Sequence, residues 1–322
     1  MEISQERTRL LVKISTLYYI DGMNQQEISQ RLGISRPQIS RMLAAAKSEG
    51  IVQIAIRNPF SEEQTYERAI SETFGIKDVI VVHTPDADQS IADLQLARAA
   101  SALLESAIRD RDVVGIMAGR TIASVGAEMN PGVKKNVQFV PMVGGWGSEG
   151  AAWHANSNTR IFAEKLKARY LLLNAPAVVA SQEARNHFVQ EQEIANVLET
   201  ARGADVALVG IGQVSDKAAI VQSGYYGRKE IDEVQSLGAV SNICSSFLNE
   251  AGERIPYEAE SRMIGLDVED LRSIPNVVAI ASGKDKVEAI ACALRGRWMN
   301  VLITDKATAK SVLDWHRTHP SS

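Results

Sequence analysis

Asn24 to Gly50 read NQQEISQRLGISRPQISRMLAAAKSEG, two short helices with a tight turn between them. Asn24 stands where it caps the first helix, and Glu27 follows three residues on, as a capping box requires. Ile28 and Leu32 lie one turn apart on one face, and Gly33 ends the helix because glycine enters the left-handed region freely. Ser35 caps the second helix, and Pro37 is tolerated in a first turn that has no partner for its missing N–H. Ile39, Met42, Leu43 and Ala46 recur at i, i+3, i+4 and i+7 as one buried stripe. The stripe leaves Ser35, Arg36, Gln38, Ser40 and Arg41 at the solvent side of the second helix's start. Arg bonds guanine bidentately, Gln does the same with adenine, and Ser takes a base edge or a phosphate. A helix-turn-helix sets the N-terminal residues of its second helix in the major groove, so these five, with Gln25 and Gln26, are the candidate DNA contacts. A solvated polar face on an ordinary helical hairpin is the plainer alternative for any one of them. The glycine turn, the two caps and the polar tip in register favour the DNA reading.

Charge distribution agrees. Residues 1–58 hold eight basic and five acidic side chains, although the whole chain carries a formal net charge of −4. A modestly basic head on an acidic body fits a DNA reader with a separate second domain, and so few positive charges point to binding as an oligomer. No apolar run reaches membrane-spanning length and no leader opens the chain, so a soluble, cytoplasmic protein with no membrane partner is expected. Cys244 and Cys292 form neither a disulfide framework nor a zinc pattern. The five histidines (His83, His154, His187, His316 and His319) show no metal spacing, and no cofactor is expected.

Upstream of the hairpin, residues 5–20 predict a helix, with Leu10, Leu11, Ile14, Leu17 and Tyr18 on one face and Asp21-Gly22 breaking it. Downstream, IVQIAI (51–56) suits a short strand or wing, and Asn58-Pro59 marks a domain boundary. Residues 61–74 predict a connecting helix whose stripe of Tyr66, Ile70 and Phe74 docks on the body or on a second subunit. From Asp78 the pattern alternates strand and helix. The strands are DVIVV, DVVGIMAG, VQFVPMVGG, ADVALVGIG, NVVAIASG and NVLITD, and helices fall at 89–109, from about Ile122, and at 157–169. Such alternation implies a parallel sheet with helices on both faces, which binds ligands at the carboxyl ends of its strands.

Those ends concentrate glycine and small polar residues: AGRT (118–121), VGGWG (143–147), GIGQ (210–213), SGKDK (282–286) and TDKAT (304–308). Glycine admits close backbone approach, and free N–H groups at a helix start favour an anion. Arg120 and Lys286 add positive charge and Thr121 a hydroxyl. Taken singly, Arg120 as a surface ion pair and Lys286 as a solvated lysine are equally good readings; five such loops in one sheet favour a pocket.

In order along nearly the whole chain, these segments resemble the SorC-type transcriptional regulators. The head YYIDGMNQQEISQRLGISRPQISRMLAAAKSEGIV matches, as do GRT (119–121), VGGWG, LVGIG (208–212), GAVSNICSSFLNEAG (238–252), SGKDKVEAIACALRG and NVLITDKATA. The resemblance implies an α/β protein of three parts. Residues 1–58 would be a winged helix-turn-helix DNA-binding domain and 59–76 a connecting helix. Residues 77–322 would be a Rossmann-like parallel α/β domain for effector binding and oligomerisation, with the fold of sugar-phosphate isomerases and deaminases. It further implies a homo-oligomer, commonly a tetramer, acting as a repressor-type regulator on operator DNA of a sugar or polyol catabolic operon, with a sugar, polyol or sugar phosphate as effector. Carried over position by position, effector contacts fall on Gly119, Arg120, Thr121, Gly144, Gly145, Gly210, Gly212 and Lys286, with Asn242 and Asn249 where the family usually has aspartates. Ala118 stands where the family often has tryptophan, opening space beside the ligand. The two amides could favour a phosphate or a neutral polyol equally.

Two other functions compete. The body's fold is shared with isomerases and deaminases, but Asp305 and Glu288 are the carboxylates near the pocket and no histidine lies in a pocket loop, so no enzyme activity is expected. A constitutive DNA-binding scaffold with a vestigial pocket is the other.

Overall fold

The computed structural model describes residues 2–52, 61–84, 89–145, 153–215, 218, 221 and 227–320. The chain divides into two units, Met1–Pro59 and Phe60–Ser322.

The first unit holds α1 (Glu2–Tyr19), α2 (Gln25–Leu32) and α3 (Arg36–Ser48). Helix α1 starts three residues before the expected point and stops at Asp21-Gly22, with Gly22 at φ 70°. The three helices share a small core of Ile14, Leu17, Ile28, Ile39 and Leu43, against which Leu10, Tyr18 and Met42 pack part-buried. An ion pair from Arg7 to Glu49 (2.6 Å) ties the start of α1 to the end of α3. Of the expected wing, residues 53–56 lie outside the described residues, as do Asn58 and Pro59.

The second unit begins with α4 (Ser61–Phe74). Its apolar stripe docks on the body: Ile70 and Phe74 are buried in one core with Ile76, Val79 and Val81, and Tyr66 packs against it. The Val81 N–H donates to Glu67 Oε1 at 3.0 Å, fastening the helix to the first strand.

Ten strands follow among the described residues. Seven run parallel in the order β1 (Asp78–Val82), β10 (Val301–Asp305), β9 (Asn276–Ile280), β5 (Val206–Gln213), β2 (Val113–Ile116), β3 (Gln138–Pro141) and β4 (Arg169–Tyr170). The period of two along each strand sorts side chains to opposite faces. Val79, Val140, Ala207, Val209, Val277 and Leu302 enter the core under α4, α9 (Gln192–Arg202), α11 (Val287–Arg295) and α12 (Lys306–Thr318). Val114, Ile116, Phe139, Leu208, Ile280 and Ile303 enter the core under α5 (Gln89–Ala107), α6 (Arg120–Glu128) and α7 (Ala155–Leu166). A sheet covered on both faces needs apolar residues at every position, which is why these strands read as unbroken apolar runs.

The expected helices and strands of the body are present with shifted ends. Additional elements are β4, α8 (Gln182–Gln190), α9, α10 (Arg228–Ser236) and an antiparallel arm of β6 (Ser241–Ile243), β7 (Ser246–Leu248) and β8 (Arg254–Ile255). The arm hangs on β5, which continues beyond its parallel neighbours so that Ile211 to Gln213 pair with β6.

After β3 the chain crosses residues 175–177 at backbone distance. The Gly145 N–H donates to the Ala175 carbonyl and the Ala177 N–H to the Gly145 carbonyl, both at 2.8 Å. A Cβ on Gly144 would sit 2.6 Å from the Ala175 oxygen and 2.7 Å from the Pro176 oxygen. Gly144→Ala should therefore destabilise the body by about 1–3 kcal/mol through overpacking. A shift in denaturant midpoint checks this, and an unchanged midpoint would show that the crossing yields freely.

Candidate functional sites

In the first unit the sequence-encoded caps form as expected. Asn24 Oδ1 accepts from the N–H groups of Gln26 (2.9 Å) and Glu27 (3.0 Å), and Glu27 Oε2 accepts from the Asn24 N–H at 2.8 Å. Gly33 closes α2 at φ 66°. At the start of α3, Ile39, Leu43 and Ala46 face the core while Ser35, Arg36, Gln38, Ser40 and Arg41 are all exposed. Their side chains are not equally free. Gln38 Oε1 accepts from the Ser35 hydroxyl (2.9 Å) and the Ser35 N–H (3.3 Å), so these two residues cap the helix they were expected to project from. The Arg41 Nε donates to the Pro37 carbonyl at 3.4 Å. Arg36 has no hydrogen bond or ion pair among the described residues. On α2, Gln26 is exposed and Gln25 half-buried.

In the second unit the direction of strand addition reverses between β2 and β5. From β2 the chain builds outward through β3 and β4; from β5 it builds the other way through β9 and β10. At such a switch point connections from the two strands run to opposite sides, which leaves a crevice at the strands' carboxyl ends. Gly119 (φ 142°) caps α6 there and, having no side chain, supplies no cap bond of its own. The loop is held from behind. Buried Asn158 donates through Nδ2 to the carbonyls of Met117 (3.1 Å), Gly119 (3.3 Å) and Trp153 (3.3 Å), and the Gly119 N–H donates to the Trp153 carbonyl at 2.9 Å. The Arg120 guanidinium lies 5.8 Å from the centre of the Trp153 ring, and Thr121 is half-buried beside it.

Lys286 reaches the same place from the start of α11. It is half-buried, and burial holds its amine below the usual lysine range; the Arg120 charge lowers it further while Asp93, on the first turns of α5, opposes both. The loop before Lys286 is fixed to the end of β10: the Gly283 N–H donates to Thr308 Oγ1 (2.8 Å), and that hydroxyl donates to Asp305 Oδ2 (2.7 Å). An added Cβ on Gly210 or Gly283 would meet open space, whereas one on Gly212 would touch Asn242. Asn242 pairs across from Gly212 on β6 and donates to the Ser246 carbonyl at 3.0 Å. Among the described residues no cluster of His, Cys, Asp or Glu could hold a metal ion, and no helix is long and apolar enough to cross a membrane.

A family model for a sugar-binding domain matches residues 58–314. The sorbitol operon regulator of Klebsiella pneumoniae is 30% identical over 307 residues, covering 95% of this chain and 98% of that one. The deoxyribonucleoside regulator of Bacillus subtilis (strain 168) is 29% identical over 312 residues, covering 97% and 99%. Among solved structures, the full-length sorbitol operon regulator SorC from Klebsiella pneumoniae superposes with a TM-score of 0.75 at 30% identity over 95% of this chain and 98% of that one. The chain belongs to the SorC-type sugar-binding transcriptional regulators. It is a carbohydrate-responsive regulator of transcription, and relatives named for sorbitol, deoxyribonucleoside and erythritol systems share that role.

In this SorC-type chain the structure brings Gly119, Arg120, Thr121, Gly210, Gly212, Asn242 and Lys286 to one end of the sheet. Gly144 and Gly145 are engaged by the 175–177 crossing, and Trp146 and Gly147 lie outside the described residues. Asn249 is set apart. It closes the turn between β7 and β8, accepting from the Glu253 N–H (2.9 Å) and donating to Glu253 Oε2 (3.0 Å). The adjoining Gly252 packs on Cys292 and Gly296, at the far end of α11 from Lys286. Asn158 and Trp153 were missed in the sequence; a polar Asn inside the apolar stripe of α7 was the available signal. Asp305 is 5% exposed and both carboxylate oxygens accept from Thr308.

Two outcomes follow. Arg36→Ala should lower affinity for the cognate operator by about 1–3 kcal/mol with no change in unfolding midpoint, whereas Gln38→Ala should lower both, because it also removes a cap. Titration of labelled operator at fixed salt, paired with thermal unfolding, separates the two. For Lys286, a folded pKa below the unfolded one means that the charged amine opposes folding at pH below the folded value, and the penalty lifts as pH rises through it. Lys286→Met should raise the midpoint of the ligand-free protein at neutral pH, and a lower midpoint would contradict the desolvation argument.

Proposed function

We propose that the effector is a sugar phosphate, bound at the carboxyl ends of β2, β5 and β9 with its phosphate on the first turn of α6 between Arg120 and Lys286. The observation that carries this reading is the half-buried Lys286 amine within reach of the Arg120 charge at the glycine-capped start of α6, with the Asp93 carboxylate set against both. Two cations set against one carboxylate, beside a helix start capped by glycine, can take up a further anion. Thr121 supplies a hydroxyl to that phosphate, and Asn242, beside Gly212, hydrogen-bonds the sugar. Asn249 is left out of the contact set. Catalysis is disfavoured, since the best-placed carboxylate, Asp305, is committed to capping α12 and is not available as a base.

On the DNA side, Arg36, Ser40 and Arg41 would contact bases or phosphates of the operator of a sugar or polyol catabolic operon, with Gln25 and Gln26 on the approach from α2. The surplus of only three positive charges in residues 1–58 supports binding as a homo-oligomer; a tetramer and a repressor role are carried over from the family resemblance. The effector must bind the DNA-competent and DNA-incompetent states unequally. We place the transmission on α4. Its first turn is tied to the pocket end of the sheet by Lys306 to Glu62 and by His83 Nδ1 to buried Glu63 (2.8 Å).

Paired panels of free sugars or polyols and their phosphates, added to the full chain, test this. A phosphate should raise stability by about 2.7 kcal/mol at a hundredfold excess over Kd, change operator affinity, and lose both effects in Arg120→Ala. A response to free polyols alone would overturn the phosphate assignment and leave the family role untouched.

A further inference from the structure

On the face of the sheet that carries α9, a second cavity of about 170 Å³ opens at the tip of the β6–β7 hairpin. It shares no residue with the pocket described above. The tip is Cys244 at φ 47° and Ser245 at φ 64°, two successive left-handed residues that are neither glycine nor asparagine, and they are 2% and 6% exposed. A two-residue hairpin of this geometry ordinarily takes Asn-Gly, because other L side chains are strained there. Ser245 lines the cavity and its buried hydroxyl has no hydrogen-bond partner among the described residues. A strained backbone presenting an unpartnered buried hydroxyl is a feature that binding would explain and packing does not.

The walls say what would bind. Arg254 pairs with Glu260 (2.9 Å) and Asp267 (3.3 Å), and Arg202 pairs with Asp270 (3.2 Å). Arg185 uses its Nε on the Met263 carbonyl at 3.2 Å. Each guanidinium has N–H groups beyond those bonds. Three guanidiniums are thus balanced by three carboxylates, so an isolated anion gains little here, in contrast to the cationic end of the first pocket. A hydroxyl group accepts from a guanidinium and donates to a carboxylate at once, and adjacent hydroxyls use alternating walls fully. Cys244 is not a reactive group in this site, since burial and then the nearby Asp270 and Asp267 push its thiol up.

We propose that this cavity is a second small-molecule site, for a small neutral polyol, built around Ser245, Arg202 and Glu260. It lies against the first pocket through one hairpin. Cys244 Sγ rests 3.9 Å from Met117 Sδ, and Met117 leads directly into Ala118, Gly119 and Arg120. Asn242 stands on the same hairpin beside Gly212. Occupying the cavity fixes the hairpin tip that backs the effector loop. The site stands whether or not the first pocket takes a phosphate.

Calorimetric titration of the full chain with erythritol, xylitol and D-glucitol, each separately, tests it. At least one should bind saturably at one site per chain and do so equally in Arg120→Ala. Arg202→Gln, at an exposed side chain, should weaken that binding about tenfold or more with an unchanged unfolding midpoint. Ser245→Asn tolerates the left-handed backbone and fills the cavity, so it should weaken binding likewise; if it lowers the midpoint, Arg202→Gln decides alone. No saturable binding of any of the three overturns the proposal. So does binding that survives a folded Arg202→Gln or Ser245→Asn unchanged, or that Arg120→Ala removes.

Discussion

Between β2 and β5 the chain changes the side on which it lays down strands, and the site exists because of that reversal. Connections that cross to the same side cover one another, whereas at a reversal of strand order they run to opposite sides. The gap places the start of α6, the overhanging end of β5 and the start of α11 around one volume. The doubly buried sheet beneath makes the placement stiff, since a strand packed on both faces cannot slip by one residue without exchanging its two faces. Glycine then matters at two points for opposite reasons. Gly210 has open space where a side chain would stand, while Gly144 has none, because the 175–177 segment crosses against it.

On the proposed reading, electrostatics would make that volume a sensor. Burial and Arg120 both oppose the charge on the Lys286 amine and Asp93 offsets them in part, so an anion taken up as proposed would relieve the remainder. A ligand shifts an equilibrium only by its difference in affinity for two states, and charge relief of this kind differs between states whenever the start of α11 moves relative to α6. The balanced ion pairs around Ser245 lack that bias, so the two cavities differ in the chemistry they can tell apart.

Much of the fold was legible in residue order. Strong apolar periods marked the parallel strands and the flanking helices, and the caps at Asn24 and Gly33 announced α2 at both ends. Helix α9 was equally legible, with Ile194, Val197, Leu198 and Ala201 at helical spacing, but it went unassigned among the clearer strands. The antiparallel arm was not legible. Its strands are three residues long or shorter, and the Cys244-Ser245 turn lacks the glycine or asparagine that signals a hairpin. At the site, Arg120, Thr121 and Lys286 could be named because glycine-rich loops follow strands. Asn249 could not be placed, since its neighbourhood depends on how the arm folds back along α11. Gln38 was legible as an exposed polar residue, but its engagement with Ser35 depends on a rotamer that residue spacing does not encode.

The route out of the pocket is short because the sheet's edge carries it. The loop holding Lys286 hangs from Thr308, which Asp305 fixes at the end of β10. The next residue, Lys306, pairs with Glu62, and His83, just beyond β1, holds the Glu63 carboxylate below its usual range. Glu62 and Glu63 form the first turn of α4, the helix that follows the first unit in the chain. Further along, α4 is locked to the body by Ile70, Phe74 and the bond from Val81 to Glu67. One end of this helix is therefore held by exchangeable polar contacts at the pocket edge, and the other by an apolar core. On the proposed reading, a shift of the Lys286 loop would act on the first end and leave the second in place. On the proposed reading such an element would pivot without unfolding and carry a charge event in the pocket to the end of α4 that follows the first unit in the chain.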